Sequence, residues 1–303
     1  MSASFETSAR GALPVMRDYI ALTKPAINRM CLIMTAGGMF LADRGGDTTR
    51  GLGLAQAFFG LLGTALAVAS ANALNMWLER ETDRLMRRTK DRPLAAQRIS
   101  SEGALVFGVA LGLAAVGVLA IWTNLATTLI GLFAIVSYVG VYTPLKYKAP
   151  LALAVGAIPG AVPPLMGWTA VTGTLDAPGL VLFAVLFVWQ MPHFIAISIV
   201  RRRDYAAAGI LTVPGVRGLA NAKWQALAWS VLLVPASLAL CWTGVAGAIY
   251  GVTAAVAGTI FLALTAIGMP SDAQENRWAQ RLFIASLVYL PVLVLGLAID
   301  VLA

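Results

Sequence analysis

The feature that most constrains this chain is a series of nine apolar runs, each long enough to cross a lipid bilayer as a helix. A transmembrane helix needs about 20 residues, because it rises about 1.5 Å per residue through a hydrocarbon core about 30 Å thick. Hydrophobic residues make up 59% of the 303 residues and charged residues only 12%, whereas soluble domains carry about 25% charged residues. We therefore predict an all-α membrane protein, a bundle of nine transmembrane helices. The runs cover residues 26–42, 54–78, 104–123, 125–143, 151–172, 180–200, 225–245, 250–268 and 282–302.

The start of the chain does not have the pattern of a cleavable signal peptide. It contains basic residues, such as Arg10 and Arg17, but no apolar stretch of useful length. We predict that residues 1–25 form a cytoplasmic N-terminal arm in front of a single transmembrane domain, residues 26–303.

The positive charges predict the orientation in the membrane. If all nine runs are spans, 20 of the 22 Lys and Arg residues lie on the side of the N-terminal arm, and the opposite side carries only Arg44 and Arg50. Cytoplasmic loops carry an excess of Lys and Arg, so this side is predicted to be cytoplasmic and the C-terminus to lie outside. Topology then explains the net charge of +8, and no nucleic-acid partner is expected.

Several kinds of site find no support in the sequence. Cys31 and Cys241 lie inside apolar runs without a CxxC motif or a His/Cys cluster, so we expect both to pack and to form neither a disulfide nor a zinc site. The sequence also has no Gly-rich P-loop, no GxGxxG and no Ser/His/Asp arrangement.

Three oxygen-bearing side chains are spaced for one helix face where the second run ends. Asn75, Glu79 and Asp83 follow at i, i+4 and i+8, so along a helix each is displaced by only about 40° from the one before. Basic residues, among them Arg84 and Arg88, follow directly. Carboxylates are hard ligands and cations bind phosphoryl oxygens, so the pattern suits a Mg²⁺-bound polyphosphate. An ordinary charged cytoplasmic loop has the same composition, and this motif alone leaves that alternative open.

A second group of acidic and basic residues follows the sixth run. The three arginines 201–203 precede Asp204 and Tyr205, again where a helix passes into a loop. We predict that this connection faces the one after Asp83 across the bundle, so that both surround a single anion. The alternative is that the arginines only anchor the loop on the cytoplasmic side.

His193, the one histidine of the sequence, lies inside the sixth run directly after Pro192. Proline removes an i to i−4 hydrogen bond and kinks a helix, which leaves carbonyl groups to be satisfied in a cavity. Ionisable groups within spans usually mark function, and imidazole is a common ligand of haem iron. A hydrogen-bonded packing role is the alternative.

The fifth run is unusually rich in proline and glycine. Gly156 and Gly160 have the small-xxx-small spacing that lets helices approach closely, so we expect these glycines to serve packing. Pro159, Pro163 and Pro164 predict a bent span that lines a cavity.

Together these motifs resemble the protohaem IX farnesyltransferases (haem O synthases), a branch of the UbiA superfamily of intramembrane prenyltransferases. The Asn-x-x-x-acid-x-x-x-Asp element is shared across the superfamily, whereas the Trp-Gln-x-Pro-His-Phe and Pro-Pro-x-x-Gly-Trp elements point to the haem branch. The matching segments are residues 22–25, 75–93, 142–146, 156–168, 189–194, 204–209 and 282–286, in order over nearly the whole chain.

The resemblance implies a UbiA-type helical bundle that transfers the farnesyl group of farnesyl diphosphate to a vinyl carbon of haem b, giving haem O and diphosphate. It implies Mg²⁺ as cofactor, held by Glu79, Asp83 and Asp204, with Asn75 as a neutral oxygen donor. His193 is the expected haem-binding residue. The expected diphosphate-binding residues are Lys24, Arg84, Arg88, Arg92, Lys146, Arg201 and Arg203.

The resemblance also implies partners and a location. Farnesyl diphosphate and haem b are the implied substrates, and the cytoplasmic (inner) membrane of a bacterium is the implied location. The product is expected to pass to haem-copper oxidase biogenesis, with a haem A synthase or an oxidase assembly factor as partner.

The sequence departs from the family pattern at three positions. Glu79 stands where the superfamily usually has Asp, Ala152 where members often carry Asn, and Tyr147 where a second basic residue is common. These departures affect substrate contacts more than the chemistry. The alternatives are another UbiA-type transferase acting on an aromatic acid or a chlorin, a secondary transporter, and a haem-binding structural subunit.

Overall fold

The structure is a computed structural model that describes residues 12–45, 52–267 and 275–303. All regular secondary structure in these ranges is helical. The helices are α1 (Ala12–Leu22), α2 (Pro25–Gly45), α3 (Leu54–Leu78), α4 (Arg80–Asp83), α5 (Ser101–Trp122), α6 (Leu125–Val136), a π-helical segment (Ser137–Tyr142), α7 (Thr143–Leu145), α8 (Ala152–Thr172), α9 (Ala177–Val200), α10 (Arg202–Ala207), α11 (Val213–Val216), α12 (Gly218–Trp242), α13 (Ala248–Ala266) and α14 (Glu275–Leu302).

Within the described ranges, nine helices are long and apolar enough to cross a membrane, as the sequence predicts. They are α2, α3, α5, the continuous stretch Leu125–Leu145, α8, α9, α12, α13 and Asn276–Leu302 of α14. Helices α12 and α14 each begin seven residues earlier than their apolar runs. The added residues include Lys223 and Arg281, because helices continue past the apolar core into the polar interface of a bilayer. Arg10 and Arg50, two of the charges used to predict orientation, lie outside the described residues.

The centre of the bundle is formed by α8 and α9. About 67% of the apolar window of α8 and 50% of that of α9 is buried, against 22–33% for the other spans. Helix α8 packs on α2 and α9, and α9 packs on α12 and α14, while α3 packs on α5. Because the outer helices keep apolar side chains on their exposed faces, they are suited to face lipid.

The closest helix contact is made by α2 and α8 through small residues. A Cβ atom added to Gly38 would lie 2.2 Å from the Pro164 carbonyl oxygen, and one added to Gly167 would lie 2.0 Å from the Thr35 carbonyl oxygen. The two backbones therefore touch at these glycines. The glycines expected to pack a neighbouring backbone, Gly156 and Gly160, instead adjoin side chains of the bundle.

The N-terminal arm contains one helix before the first span. In α1, Leu13, Met16 and Ile20 are exposed at i, i+3 and i+7, the spacing of one helix face. The arm is tied to the connection after α4 by the ion pair between Asp18 Oδ1 and Arg98 Nε, 3.0 Å apart. This amphipathic helix leads directly into α2.

Candidate active site

The predicted stripe of oxygen-bearing side chains lies where α3 passes into α4. The backbone hydrogen bonds continue across the junction, from the Glu79 amide to the Asn75 carbonyl (3.0 Å) and from the Asp83 amide to the Glu79 carbonyl (2.8 Å). The three residues therefore keep the helical spacing that the sequence predicts. All three are buried, with exposures of 2%, 4% and 1% for Asn75, Glu79 and Asp83. Buried carboxylates are costly unless they are paired, so their partners define the site.

Each side chain of the stripe is paired with a cation from a different segment of the chain. One cation precedes α2, one follows α7 and one lies in the long connection after α4. The pairs are Lys24 with Asn75 (Nζ to Oδ1, 3.0 Å), Lys146 with Glu79, and Arg92 with Asp83 (Nη1 to the two carboxylate oxygens, 2.9 and 2.7 Å). The stripe therefore joins three parts of the chain that lie far apart in sequence.

The Asn75 amide is oriented by a short chain of hydrogen bonds from the π-helical segment. The Thr143 hydroxyl donates to the Tyr138 carbonyl (2.8 Å) and accepts from Asn75 Nδ2 (3.1 Å). The amide nitrogen is thereby used within the bundle, and Asn75 Oδ1 faces the Lys24 ammonium group. Single-turn π segments often occur at functional sites.

Lys24 occupies an unusual backbone position between α1 and α2. Its φ is +47°, in the left-handed region that costs a non-glycine residue on the order of 1–3 kcal/mol. The pKa of its amine is lowered to about 7, first by burial and then by the charges of Arg92 and Arg88, against the raising effect of Asp83. An anion bound beside Lys24 would raise this pKa, so the residue is suited to a site that receives negative charge.

The connection after α7 is joined to both of the other basic connections. The Leu211 amide donates to the Lys146 carbonyl at 2.9 Å, which attaches the segment between α10 and α11. The Thr82 and Tyr147 hydroxyls lie 2.8 Å apart, which attaches α4. Lys146 is thus held at the point where the three connections meet.

An open polar cavity of about 710 Å³ lies between the two acidic and basic connections. Arg87 and Arg88 line it from one connection, and Arg201 to Asp204 line it from the other, with Asn276 at the start of the ninth span. Burial raises the pKa of the Tyr205 phenol, while the nearby charges of Arg88 and Arg201 lower it. The two connections therefore lie at the same end of the bundle and face each other, as predicted.

One of the predicted diphosphate-binding cations is engaged elsewhere. Arg84 forms an ion pair with Glu81 (2.9 Å) and donates from Nε to the Ala95 carbonyl (3.0 Å). It does not line the polar cavity. The other predicted cations lie at the stripe (Lys24, Arg92 and Lys146) or at the cavity (Arg88, Arg201 and Arg203).

In the parts of the chain that the structure describes, no three His, Cys, Asp or Glu side chains are close enough to hold a metal ion on their own. Glu79 and Asp83 lie on one stripe, whereas Asp204 lines the facing side of the polar cavity. The protein supplies two neighbouring buried carboxylates on the stripe and a third in the wall of the polar cavity, which Glu79 and Asp83 do not line.

A small apolar cavity of about 100 Å³ lies inside the bundle next to the stripe. Its walls include Asn72, one helical turn before Asn75, and Tyr138 of the π-helical segment. Pro159 and Pro163 line it as well, which confirms that the proline-rich span borders a cavity. Cys31, expected only to pack, also lines this space.

His193 is buried between α9 and α14. Its Nδ1 lies 2.7 Å from Ser286 Oγ, and its ring stacks on Trp189 (centroids 4.9 Å apart, 23° between planes) and contacts Phe283 (5.0 Å). His193 lines neither of the two cavities described above. Helix α9 continues through Pro192. The contacts with Ser286, Trp189 and Phe283 therefore set the orientation of the imidazole.

Sequence reasoning assigned no role to several residues that organise this region. Thr143 orients Asn75, Leu211 joins two connections, and Ser286 contacts His193. Thr143 and Ser286 belong to the family-like segments, so their position in those motifs was the available signal. The partner of each one lies far away in the sequence, which a motif alone does not reveal.

Comparisons with known proteins agree with the helical fold and with the sequence motifs that form the site. The UbiA prenyltransferase family matches residues 31–287. The protoheme IX farnesyltransferase of Anaeromyxobacter dehalogenans (strain 2CP-C) is 46% identical over 287 residues, covering 94% of each chain. That of Myxococcus xanthus (strain DK1622) is 43% identical over 286 residues, covering 94% of this chain and 95% of its own.

Two solved structures share the fold at low identity. A structure of digeranylgeranylglyceryl phosphate synthase superposes with a TM-score of 0.77 at 16% identity, covering 94% of this chain and 98% of its own. A UbiA homolog from Archaeoglobus fulgidus, bound to GPP and Mg²⁺, superposes with a TM-score of 0.63 at 18% identity, covering 93% and 99%. The resemblance found in the sequence motifs is confirmed, and this chain belongs to the UbiA prenyltransferase family.

Proposed function

We propose that this protein transfers the farnesyl group of farnesyl diphosphate to a vinyl carbon of haem b, releasing diphosphate and leading to haem O. The observation that carries the proposal is the buried stripe of Asn75, Glu79 and Asp83, in which each side chain meets a cation from a different segment. The relatives named protoheme IX farnesyltransferase support this choice of substrates over those of other prenyltransferases.

The donor set of the site fits Mg²⁺. This ion is usually bound through one or two carboxylates together with substrate phosphates, without a complete cage of protein ligands. Glu79 and Asp83 supply two buried carboxylates, and Asp204 adds one from the facing connection. We propose these three as metal ligands, with Asn75 Oδ1 as a neutral donor. When bound, Mg²⁺ acts as a Lewis acid that stabilises charge on the leaving diphosphate.

The cations of the site are proposed to exchange partners when substrate binds. Lys146 and Arg92 pair with the two carboxylates, and Lys24 contacts the Asn75 amide. With a divalent ion at the carboxylates, these cations would be available for the non-bridging oxygens of diphosphate. Arg88, Arg201 and Arg203 add positive charge at the open cavity. Charge placed in advance in a poorly hydrated site stabilises a developing anion most strongly.

The chemical step requires no nucleophilic side chain. The bond between farnesyl C1 and the diphosphate oxygen breaks, and its electron pair leaves with diphosphate. The π electrons of the vinyl group then form the new carbon–carbon bond to C1. Water adds to the carbocation left on the porphyrin substituent and loses a proton. The apolar cavity lined by Asn72 and Tyr138 is proposed to hold the allylic end of the farnesyl chain and to keep water from it.

His193 is proposed to bind the haem. It precedes the end of α9 at Val200 by seven residues, so it lies about 10 Å deeper in the membrane than that helix end. A porphyrin is of comparable width, so iron held near His193 leaves a vinyl edge available to the charged end of the bundle.

The multi-pass chain is proposed to lie in the cytoplasmic membrane of a bacterium, with the N-terminus and the charged site in the cytoplasm and the C-terminus outside. The excess of Lys and Arg on one side supports this orientation. Transfer of haem O to a haem A synthase or an oxidase assembly factor is part of the same proposal.

The proposal is tested with purified protein in liposomes, isotope-labelled farnesyl diphosphate, haem b and Mg²⁺, followed by haem extraction and mass spectrometry. Label is expected in a haem that has gained one farnesyl group and one water. Parallel reactions offer a chlorin or an aromatic acid as acceptor. Label in one of these acceptors but not in haem would contradict the proposed substrate, and no transfer to any acceptor would contradict the reaction.

A further inference from the structure

The contacts of His193 indicate how its imidazole is prepared to bind iron, an inference that rests on the proposed function. The ring lies between Trp189 of α9 and Phe283 of α14, which restrict its rotation. Trp189 itself is fixed, because its Nε1 donates to the Ser286 carbonyl at 2.9 Å. A ring held in this way presents a fixed edge to its surroundings.

The contacts of Ser286 bear on which ring nitrogen of His193 carries the proton. A serine hydroxyl has one hydrogen to donate. The Phe283 carbonyl, 2.6 Å from Ser286 Oγ, can only accept, and a hydroxyl that donates to it can only accept from His193 Nδ1, 2.7 Å away. In that arrangement neutral His193 carries its proton on Nδ1, and Nε2 keeps its lone pair.

The unprotonated nitrogen is the one left without a protein partner. Across the described ranges, the hydrogen bond of the His193 ring is the one made by Nδ1. The residue is 9% exposed, so a small part of it reaches the surface of the bundle. A neutral imidazole with its second nitrogen hydrogen-bonded is the usual form of a metal-binding histidine.

We propose that Ser286 is the positioning residue for haem binding: it fixes His193 as the Nδ1-protonated tautomer and so directs Nε2 to the iron. Ser286 touches neither the iron nor the reacting vinyl group in this scheme. Its hydroxyl acts through the imidazole, as hydrogen-bonding partners of metal-bound histidines do.

The test compares haem binding by five forms of the full-length protein: wild type, Ser286→Ala, Ser286→Thr, His193→Ala and the control Ser237→Ala. Ser237 is also fully buried and pairs its hydroxyl with Tyr289 of α14 (2.8 Å), away from His193. Haem affinity is measured by optical titration, and the iron–histidine stretching band by resonance Raman spectroscopy. Binding of farnesyl diphosphate reports whether the rest of the site is intact.

For Ser286→Ala we expect the haem dissociation constant to rise about tenfold, the lower end of the usual range for such partners, and the iron–histidine band to shift. Ser286→Thr keeps the hydroxyl and should restore both, while Ser237→Ala should match wild type.

If Ser286→Ala keeps the wild-type affinity and band although His193→Ala loses them, the positioning role is wrong and haem binding by His193 stands. If His193→Ala also keeps them, both roles are wrong. Absence of haem O from the wild-type reaction would contradict the proposed function separately.

Discussion

The two polar regions of this protein are stabilised in opposite ways. At the charged end of the bundle, the stripe consists of charged or strongly polar groups, each with a cation from another segment. Deeper in the bundle, His193 has a neutral hydroxyl partner and aromatic neighbours. The first region has the charged groups that the proposed anion and metal ion require, and the second has the aromatic surroundings that suit the proposed flat, largely apolar ligand.

The difference has energetic consequences. Removing one partner of a buried ion pair leaves an uncompensated charge, which typically costs about 3–5 kcal/mol. Losing a neutral hydrogen bond costs roughly 1 kcal/mol. Changes at the charged site should therefore affect chemistry and stability together, whereas changes around His193 should affect ligand binding with little loss of stability.

Metal removal should separate the two regions most completely. With excess chelator, we expect prenyl transfer to be lost, because the charge of the leaving diphosphate is no longer stabilised. Haem binding, followed by its optical spectrum, should be unchanged. Readdition of Mg²⁺ should restore transfer, and transfer that continues in chelator would contradict the role of a divalent ion.

Asp83→Asn should lower turnover by at least about 10²-fold, the scale for loss of one electrostatic contact to developing charge. The change keeps the size of the side chain and removes the charge opposite Arg92. The matched control is Glu81→Gln in the same helix, whose carboxylate is 64% exposed and pairs with Arg84. Haem O formation by purified Asp83→Asn at near the control rate would show that this carboxylate is not a metal ligand.

His193→Ala should greatly reduce haem O formation, by roughly tenfold or more, while binding of farnesyl diphosphate persists. The reason is that the change removes the proposed iron ligand, the imidazole, and leaves the charged site intact. Haem titration and a farnesyl diphosphate binding assay on the same preparation measure the two effects. An unchanged haem spectrum with full activity would identify His193 as a packing residue.

Glu79→Asp should have the smallest effect, a loss of turnover smaller than that of Asp83→Asn or His193→Ala. Shortening the side chain by one methylene changes its reach toward Lys146 but retains the charge. Glu79→Gln, which keeps the length and removes the charge, is the comparison and should be clearly slower. Equal rates for the two variants would mean that charge at this position is unimportant for catalysis.

Much of the fold could be predicted from the sequence, because long apolar runs and the asymmetry of Lys and Arg are local signals. The nine spans and the family resemblance are confirmed. Helix ends were predicted less well, since α12 begins at Gly218 and includes the buried Lys223. Apolarity marks only the part of a helix inside the hydrocarbon core, and it does not mark the turns that continue beyond it.

Of the candidate site, the sequence predicted the stripe and the facing connections but not how they are paired. Seven cations were expected to bind diphosphate with no order among them. The structure places Lys24, Lys146 and Arg92 directly on the stripe, whereas Arg84 pairs with Glu81 away from the cavity. The contacts on the stripe join residues that are 9, 51 and 67 positions apart, for which sequence spacing carries no signal.

The sequence by itself determined which groups are available: the spans, the i, i+4, i+8 stripe of oxygens, the excess of cations and one histidine. Helical periodicity and hydropathy are properties of neighbouring residues, so they can be derived from the chain alone. The tertiary structure decided the partners, such as Thr143 for the Asn75 amide and Ser286 for His193. Those pairings exist only because packing brings together helices that are distant in sequence, and they position the Asn75 amide and the His193 ring.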